Sequence, residues 1–148
     1  MKSIILLITV ASVSLVSCGQ DIPASKVPSV VQNTVQSNFA SAVDIEWEKK
    51  NNFYEAEFDI DKIDYKAHVD ASGKLMSCKR GMKVSELPAV ITTAIGNEHT
   101  GYEIDDADKL EKDGATYYQV ELDARGKKDK QLVYTADGRL AQNITYIK

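Results

Sequence analysis

The sequence predicts an α+β domain in which tandem α-β-β-β-β repeats form an antiparallel sheet of about eight strands, with two helices on one face. Three observations support this prediction. The chain repeats itself at an interval of about 60 residues, which is typical of a duplicated supersecondary unit. Each copy opens with apolar residues at helical spacing behind a proline, and apolar and polar residues then alternate. Such alternation is typical of strands with one buried face, which helices can cover.

The repeat is visible at three ordered places. Each copy opens with an apolar residue followed by a proline, and each closes on Gly-Lys-Leu or Gly-Arg-Leu. Between them, a triplet ending in Glu-Lys precedes two adjacent aromatic residues. The matched segments are 27–31 with 87–91, 47–54 with 110–118, and 71–75 with 136–140. We therefore assign repeat one to residues 27–80 and repeat two to residues 87–148.

A helix is predicted at the start of each copy. Pro28 and Pro88 suit the first helical position, where the missing N–H would be unpaired in any case. The apolar residues that follow form one stripe, as expected for a helix with a single buried face. The stripe residues are Val27, Val30, Val31, Val35 and Phe39 in the first copy, and Leu87, Val90, Ile91, Ala94 and Ile95 in the second. We interpret both stripes as core faces.

Alternation with a period of two predicts four strands after each helix. The inward residues of the first copy are Val43, Ile45 and Trp47, then Tyr54, Ala56, Phe58 and Ile60, then Ile63, Tyr65, Ala67 and Val69, with a fourth strand after Gly73. Those of the second copy are Tyr102 and Ile104, then Tyr118, Val120 and Leu122, then Leu132 and Tyr134, then Leu140, Ile144 and Tyr146. Turns are expected at 50–52, 113–114, 124–129 and 137–138. The face away from the helices is predicted to be polar and open.

The N-terminus predicts export. Lys2, an apolar run over residues 4–13 and small residues before Cys18 are typical of a secretory signal peptide, here residues 1–17. The run is too short to span a bilayer, which takes roughly 20 residues. Residues 15–18, L-V-S-C, resemble the lipobox of bacterial lipoproteins, which implies acylation of Cys18. The alternative is an ordinary signal peptide that happens to end at a cysteine.

This interpretation divides the chain into a signal peptide (1–17), a lipidated tether (18–26) and a folded domain (27–148). The mature protein would be anchored by lipid alone, on the periplasmic face of the envelope or on the cell surface. Loss of Lys2 changes the formal charge from −4 to about −5, and no basic face suggests a nucleic-acid partner. Cys78 is then the remaining thiol, so an internal disulfide is excluded. We interpret Cys78 as a small buried residue, with a reactive thiol or an intermolecular bridge as the alternatives.

No motif predicts catalysis, a cofactor or a metal. His68 and His99 lie far apart in sequence and outside any zinc-binding spacing. Residues 59–70 resemble a calcium loop only in part, because Ile63 stands at a ligand position and Asp64 where the loop needs glycine. An enzyme that uses Cys78 or His68 stays open as an alternative, as does a purely structural envelope protein.

The open sheet face is the candidate functional surface. Its predicted partner-binding residues are Phe53, Glu55, Glu57, Lys66, His68, Tyr117, Gln119 and Glu121, with Glu46, Glu48 and Val133 on the same face. Glutamates opposed on neighbouring strands are destabilising, although Lys62 and Lys66 could offset them. Aromatic residues among charges are typical of an interface, and Phe53 and Tyr117 occupy matching places in the two copies. The alternative is a solvated face without a partner.

The doubled unit, the Val/Leu-Pro opening, the paired aromatics and the closing Gly-Lys/Arg-Leu resemble the PepSY-like, beta-lactamase-inhibitor-like family of secreted proteins, common in Bacteroidetes. The resemblance covers the chain from about Val27 to Ile147. It implies an envelope protein whose helix-covered sheet can hold another protein, and it implies no catalytic residues. The sequence thus predicts a non-enzymatic, lipid-anchored binding or regulatory module that engages a protein or peptide of the envelope.

Overall fold

The computed structural model describes residues 20–148. The predicted signal peptide and Cys18 lie outside the described residues. Within residues 20–148 the chain forms two α-helices and one antiparallel sheet of eight strands, whose order in the sheet follows their order in the chain. The elements are β1 (Gln20–Asp21), α1 (Ser29–Asn38), β2 (Val43–Lys49), β3 (Phe53–Ile60), β4 (Ile63–Asp70), β5 (Leu75–Gly81), α2 (Ala89–Glu98), β6 (Glu103–Lys112), β7 (Ala115–Asp123) and β8 (Lys130–Thr135).

The described part of the chain contains no helix with the length and apolar character that crossing a membrane requires. Short 3-10 turns at Ala24–Lys26 and Val84–Glu86 precede the two helices.

Both helices pack on one face of the sheet, as predicted. A row of cross-strand neighbours, Tyr65, Arg80, Lys109 and Tyr118, runs from β4 to β7. Neighbours directly across a ladder project to the same side of a sheet. Tyr65 packs on the core cluster under α1, and Tyr118 packs on the cluster under α2. We call this side the inner face and the opposite side the outer face.

The inner face holds two adjoining cores, one for each copy. In the first, Val31 and Val35 of α1 pack on Trp47 and Phe58. In the second, the helix contributes Ile91 and Ile95, and the sheet contributes Ala107, Val120, Leu122 and Tyr134. Burying an aliphatic or aromatic side chain as large as valine or isoleucine contributes about 1.5–3 kcal/mol to the free energy of folding. The side chain of Trp47 is only 6% exposed, which confirms the expectation that it is a core residue.

The closing glycine of each copy packs against the start of its helix. Gly73 and Gly138 have φ values of +87° and +84°, which side chains other than that of glycine rarely adopt. A Cβ on Gly73 would lie 2.5 Å from Val30 Cγ2, and one on Gly138 would lie 2.7 Å from Val90 Cγ2. Val30 and Val90, expected in the core stripes, are therefore about half exposed and contact the turns instead.

The sheet has eight strands, but one of them differs from the prediction. The predicted last strand, at residues 140–146, is absent, and a strand at Gln20–Asp21 is present in its stead. Residues 140–146 do not form a strand, because Leu140 makes a single bridge to Tyr134 and the chain then turns over residues 141–144. Gln142 interrupts the apolar alternation at that point. The sheet instead gains β1, whose Gln20 pairs with Lys49. Gln20 and Asp21 belong to the segment that the sequence assigns to the tether.

The structural equivalent of Trp47 is Ala107, and the match of Trp47 with Leu110 is wrong. The helices and the start of β6 keep an offset of 60 residues from their counterparts. Trp47 and Ala107 both lie on the inner face, whereas Leu110 pairs with Tyr117 on the outer face. The strands of the β6–β7 hairpin are longer than those of the β2–β3 hairpin. The offset between equivalent residues of the two copies therefore increases after β6.

Candidate functional site

The outer face is crossed by the last eight residues of the chain, 141–148, which we call the tail. The prediction of an open polar face is therefore wrong at the centre of the sheet, where both polar and apolar residues of the outer face are buried. These are Ser77, Asp108, Leu110, Gln119 and Val133. The side chain of Gln119 is completely buried. Leu110 and Val133 are apolar, so covering them removes a hydrophobic patch from water.

Gln119 binds the backbone of the tail with both ends of its side-chain amide. Its Nε2 donates to the carbonyl oxygen of Ile147 at 2.9 Å, and its Oε1 accepts from the Ile147 N–H at 3.0 Å. One side chain thus satisfies both backbone groups of one residue, as a neighbouring strand would. Further along, Lys66 Nζ donates to the carbonyl oxygen of Lys148 at 2.5 Å. The tail therefore spans the outer face from β7 to β4.

Tyr146 occupies an acidic part of the outer face. Burial raises its pKa, and the neighbouring carboxylates of Asp108 and Glu121 raise it further. The phenol consequently stays neutral over the physiological range. Asp108 is itself buried, which raises its pKa, against the opposing effect of Lys79 Nζ at 3.2 Å.

Glu55 is the centre of a charged cluster on the outer face of the first copy. Its Oε2 lies 2.6 Å from His68 Nε2, and its Oε1 lies 3.3 Å from Lys50 Nζ and 3.6 Å from Lys66 Nζ. Burial alone would raise the pKa of Glu55, but the hydrogen bond with His68 and the positive charges of Lys66 and Lys50 together lower it to about 2. Glu55 is thus an ionised, buried carboxylate fixed by three partners.

The register confirms that glutamates face each other across β2 and β3. Glu46 lies opposite Glu57, and Glu48 lies opposite Glu55. The repulsion is offset by Lys66, which contacts Glu57 at 2.5 Å, and by Lys50, which bonds to Glu48. The hydrogen bond with Glu48 raises the pKa of Lys50, although burial opposes the shift. Lys62, the other expected counter-charge, lies in the tight turn between β3 and β4.

Two aromatic residues face outward as predicted. Phe53 packs against the imidazole of His68, with ring centroids 4.4 Å apart and ring planes tilted by 35°, and is partly buried. Tyr117 pairs across the sheet with Leu110 and is also partly buried. Their neighbours Tyr54 and Tyr118 pack on the inner cores, which confirms the assignment of faces.

A cavity of about 540 Å³ lies between the tail and the outer face of the first copy. Its walls combine the charged cluster with apolar side chains. The lining residues are Glu48, Lys50, Phe53, Glu55, Lys66, His68, Met76, Ser77, Lys112 and residues 145–148. Four predicted site residues, Phe53, Glu55, Lys66 and His68, meet here.

The other predicted site residues are distributed differently. Tyr117, Gln119 and Glu121 follow one another on the outer face of β7, where Gln119 lies under the tail. Glu57 lies beside the cluster and outside the cavity lining. Four further parts of the site were not predicted from the sequence: Lys50, Met76, Lys112 and the tail. The break in alternation at Gln142 was the available signal for the tail.

Two other features of the described residues contain side chains that could carry chemistry. Carboxylates of Glu48, Glu55 and Glu57 lie within 4.8 Å of one another, yet each is in an ion pair with a lysine. This arrangement explains the cluster without a metal. Cys78 is a free, partly buried thiol on the inner face, and burial together with Glu111 raises its pKa to about 11.

Comparison with known proteins agrees with this architecture. The family model described as "Putative beta-lactamase-inhibitor-like, PepSY-like" matches residues 15–77 and again residues 74–142, which is one match for each copy. No curated protein matches the chain.

Solved structures share the fold. A DUF2874 family protein from Bacteroides uniformis superposes with a TM-score of 0.71 at 18% identity, covering 78% of this chain and 86% of that one. A BLIP-like protein from Bacteroides fragilis gives a TM-score of 0.67 at 21% identity, covering 78% and 83%. A Bacteroides eggerthii protein described as "putative periplasmic" gives 0.72 at 15% identity, covering 78% and 86%. On the strength of the two family matches, the chain belongs to the PepSY-like, beta-lactamase-inhibitor-like family.

Proposed function

We propose that this protein is a non-enzymatic binding module of the bacterial envelope, lipid-anchored through Cys18, that engages a protein or peptide with the outer face of its sheet. One observation carries the proposal: the outer face already binds a stretch of its own chain. The contacts of Gln119 and Lys66 go to backbone atoms of Ile147 and Lys148. The N–H and carbonyl groups that Gln119 binds are common to all peptides, so a partner segment can make the same two bonds.

The charged cluster supports binding because it is preorganised. Glu55 and His68 already hold each other in place, and Phe53 packs against the imidazole. Ordering rotamer-rich side chains at an interface costs about 0.5–1.5 kcal/mol each, and a cluster that is fixed beforehand avoids part of that cost. Phe53 has one side against His68 and is the natural anchor for a partner.

The envelope location is supported by the signal-peptide and lipobox patterns before Gly19. It is also supported by the family and by the "putative periplasmic" description of one structural relative. The BLIP-like description of another relative fits a role in holding a second protein.

The alternative of an enzyme using Cys78 or His68 fits the geometry less well. The nucleophile in thiol chemistry is the thiolate, and the raised pKa of Cys78 keeps the thiol protonated near neutrality. His68 is engaged with Glu55 on the outer face, whereas Cys78 lies on the inner face, so the two cannot act together.

The proposal is tested by capture of partners from solubilised envelope with the mature protein as bait. The double variant Phe53→Ala, Tyr117→Ala should lose the captured partner while its thermal midpoint changes little, because both side chains face outward. A matched control, Val43→Ala with Ile63→Ala, truncates two exposed apolar side chains outside the cavity and should retain binding. The inward change, Tyr54→Ala with Tyr118→Ala, should instead unfold the domain. Full capture by the outward variant would contradict the proposal.

A further inference from the structure

We propose that the tail is an intramolecular ligand occupying the partner site, and that the partner is an extended peptide segment with an aromatic residue directly before an aliphatic one, which binds by displacing the tail. This inference rests on the proposed function and specifies its ligand. The model for the ligand is the pair Tyr146-Ile147 as it lies on the outer face.

The first step is the recognition of an extended backbone. The amide of Gln119 bonds to the N–H and to the carbonyl oxygen of the same residue, Ile147, an arrangement that requires that residue to be extended. Gln119 is completely buried with the tail in place, and its Nε2 also lies 3.5 Å from Asp108 Oδ2. Departure of the tail opens this amide to water, and another extended peptide that supplies the same N–H and carbonyl oxygen can then replace the tail on it.

The second step concerns the side chains. Tyr146 is partly buried beside the carboxylates of Asp108 and Glu121. An aromatic ring with a neutral polar tip suits such a place, since its body is apolar and its hydroxyl tolerates the neighbouring acids. Ile147 and Tyr146 both line the cavity beside Phe53 and Met76, where an aliphatic residue finds apolar contacts.

The third step is that the tail can leave. Among the hydrogen bonds described for residues 20–148, three join residues 145–148 to the rest of the chain: Gln119 donates one and accepts one, and Lys66 donates the third. The tail beyond Ala141 also lies outside the sheet, because backbone pairing with β8 ends at that residue. Detachment therefore breaks these side-chain bonds and exposes the apolar Leu110 and Val133, but it leaves the strand ladders and both inner cores in place.

The tail also competes with any partner. A segment tethered by a short flexible linker acts at an effective concentration in the millimolar range. A free peptide of the same sequence must overcome this competition in the wild-type protein, whereas it binds readily once the tail is weakened. The tail thus raises the concentration or the affinity that a partner needs in order to bind.

The test uses the purified mature protein and a fluorescent octapeptide with the sequence of residues 141–148, Ala-Gln-Asn-Ile-Thr-Tyr-Ile-Lys. The variant Ile147→Pro removes the N–H that Gln119 accepts, so its own tail should detach. We expect this variant to bind the peptide about tenfold or more tightly than the wild type does, as judged by fluorescence anisotropy. Adding Gln119→Leu to Ile147→Pro should abolish that binding.

A control peptide carries proline in place of the isoleucine that corresponds to Ile147 and should not bind. If Ile147→Pro lowers the thermal midpoint, Tyr146→Ala provides a second variant that weakens the tail without altering the backbone. Equal binding of the octapeptide to wild type and to both variants, or binding to none of them, would overturn the inference.

The outcomes separate this inference from the proposed function. Octapeptide binding that depends on Gln119, together with no envelope partner, would refute the proposed function alone. Capture of a partner that depends on Phe53 and Tyr117 but is unchanged by Ile147→Pro, with no octapeptide binding, would refute the role of the tail alone.

Discussion

Gly73 lies so close to Val30, in the first turn of α1, that there is room for a hydrogen atom on its Cα but not for a side chain. The same contact joins Gly138 to Val90 in the second copy. Two glycines at matching places, each with a positive φ and each against a valine, explain why both copies of the internal repeat carry glycine in the closing turn.

Gly73→Ala and Gly138→Ala should each destabilise the domain by about 1–3 kcal/mol, because a Cβ would overlap the valine and would strain a left-handed backbone. Urea unfolding measures the loss. Gly114→Ala is a matched control for strain alone, since its φ is +75° with no heavy atom within 4 Å. Gly96→Ala, inside α2 and also with open space, should stabilise by about 0.5–1 kcal/mol. If the changes at Gly73 and Gly114 cost the same, the contact with Val30 has no energetic role.

Trp47→Ala should cost roughly 3–5 kcal/mol, since the indole is a core side chain and its loss leaves a cavity under α1. Val43→Ala, on the same strand but more than half exposed, should change the free energy of unfolding by less than about 0.5 kcal/mol. Denaturant titrations of both variants check the comparison. A near-zero effect at Trp47 would mean that α1 does not pack on β2.

The ionisation of Glu55 should make the free energy of unfolding depend on pH in the acidic range. Its folded-state pKa of about 2 lies below its ordinary value of 4.5, so its contribution is present above pH 4.5 and is lost as the pH falls towards 2. The shift corresponds to about 3 kcal/mol at neutral pH. Urea unfolding at a series of pH values should therefore show a steep loss over this window. Glu55→Gln should flatten the curve there, and an unchanged slope in this variant would contradict the assignment.

Cys18→Ser should abolish incorporation of a labelled fatty acid and release the protein from the membrane fraction. Cys78→Ser is the matched control, because it changes the other cysteine and should leave the label intact. Labelling of the Cys18→Ser protein at the wild-type level would rule out the lipobox interpretation.

The strand faces could be predicted because alternation is a local property. In β3, Tyr54, Ala56 and Phe58 all lie on the inner face, as their spacing indicated. The helices were equally accessible, since Val31 and Val35 repeat at the helical period and are completely buried.

The covering of the outer face could not be predicted in the same way. The bonds between Gln119 and Ile147 join residues 28 positions apart through a side chain, and such a contact leaves no periodicity in the sequence. The two-residue strand β1 is too short for alternation to show. The false match of Trp47 with Leu110 arose because Glu-Lys follows both, although a longer hairpin separates the true equivalents.

The position of β1 has a consequence for how the domain would stand on a membrane. Two residue steps separate Cys18 from Gln20, at most about 7 Å of extended chain. Gln20 is already paired with Lys49 at the first edge of the sheet. In a lipidated molecule almost no free chain would therefore separate the lipid from the sheet. The edge formed by β1 and β2 would lie at the bilayer surface, and the later strands would lie progressively farther from it.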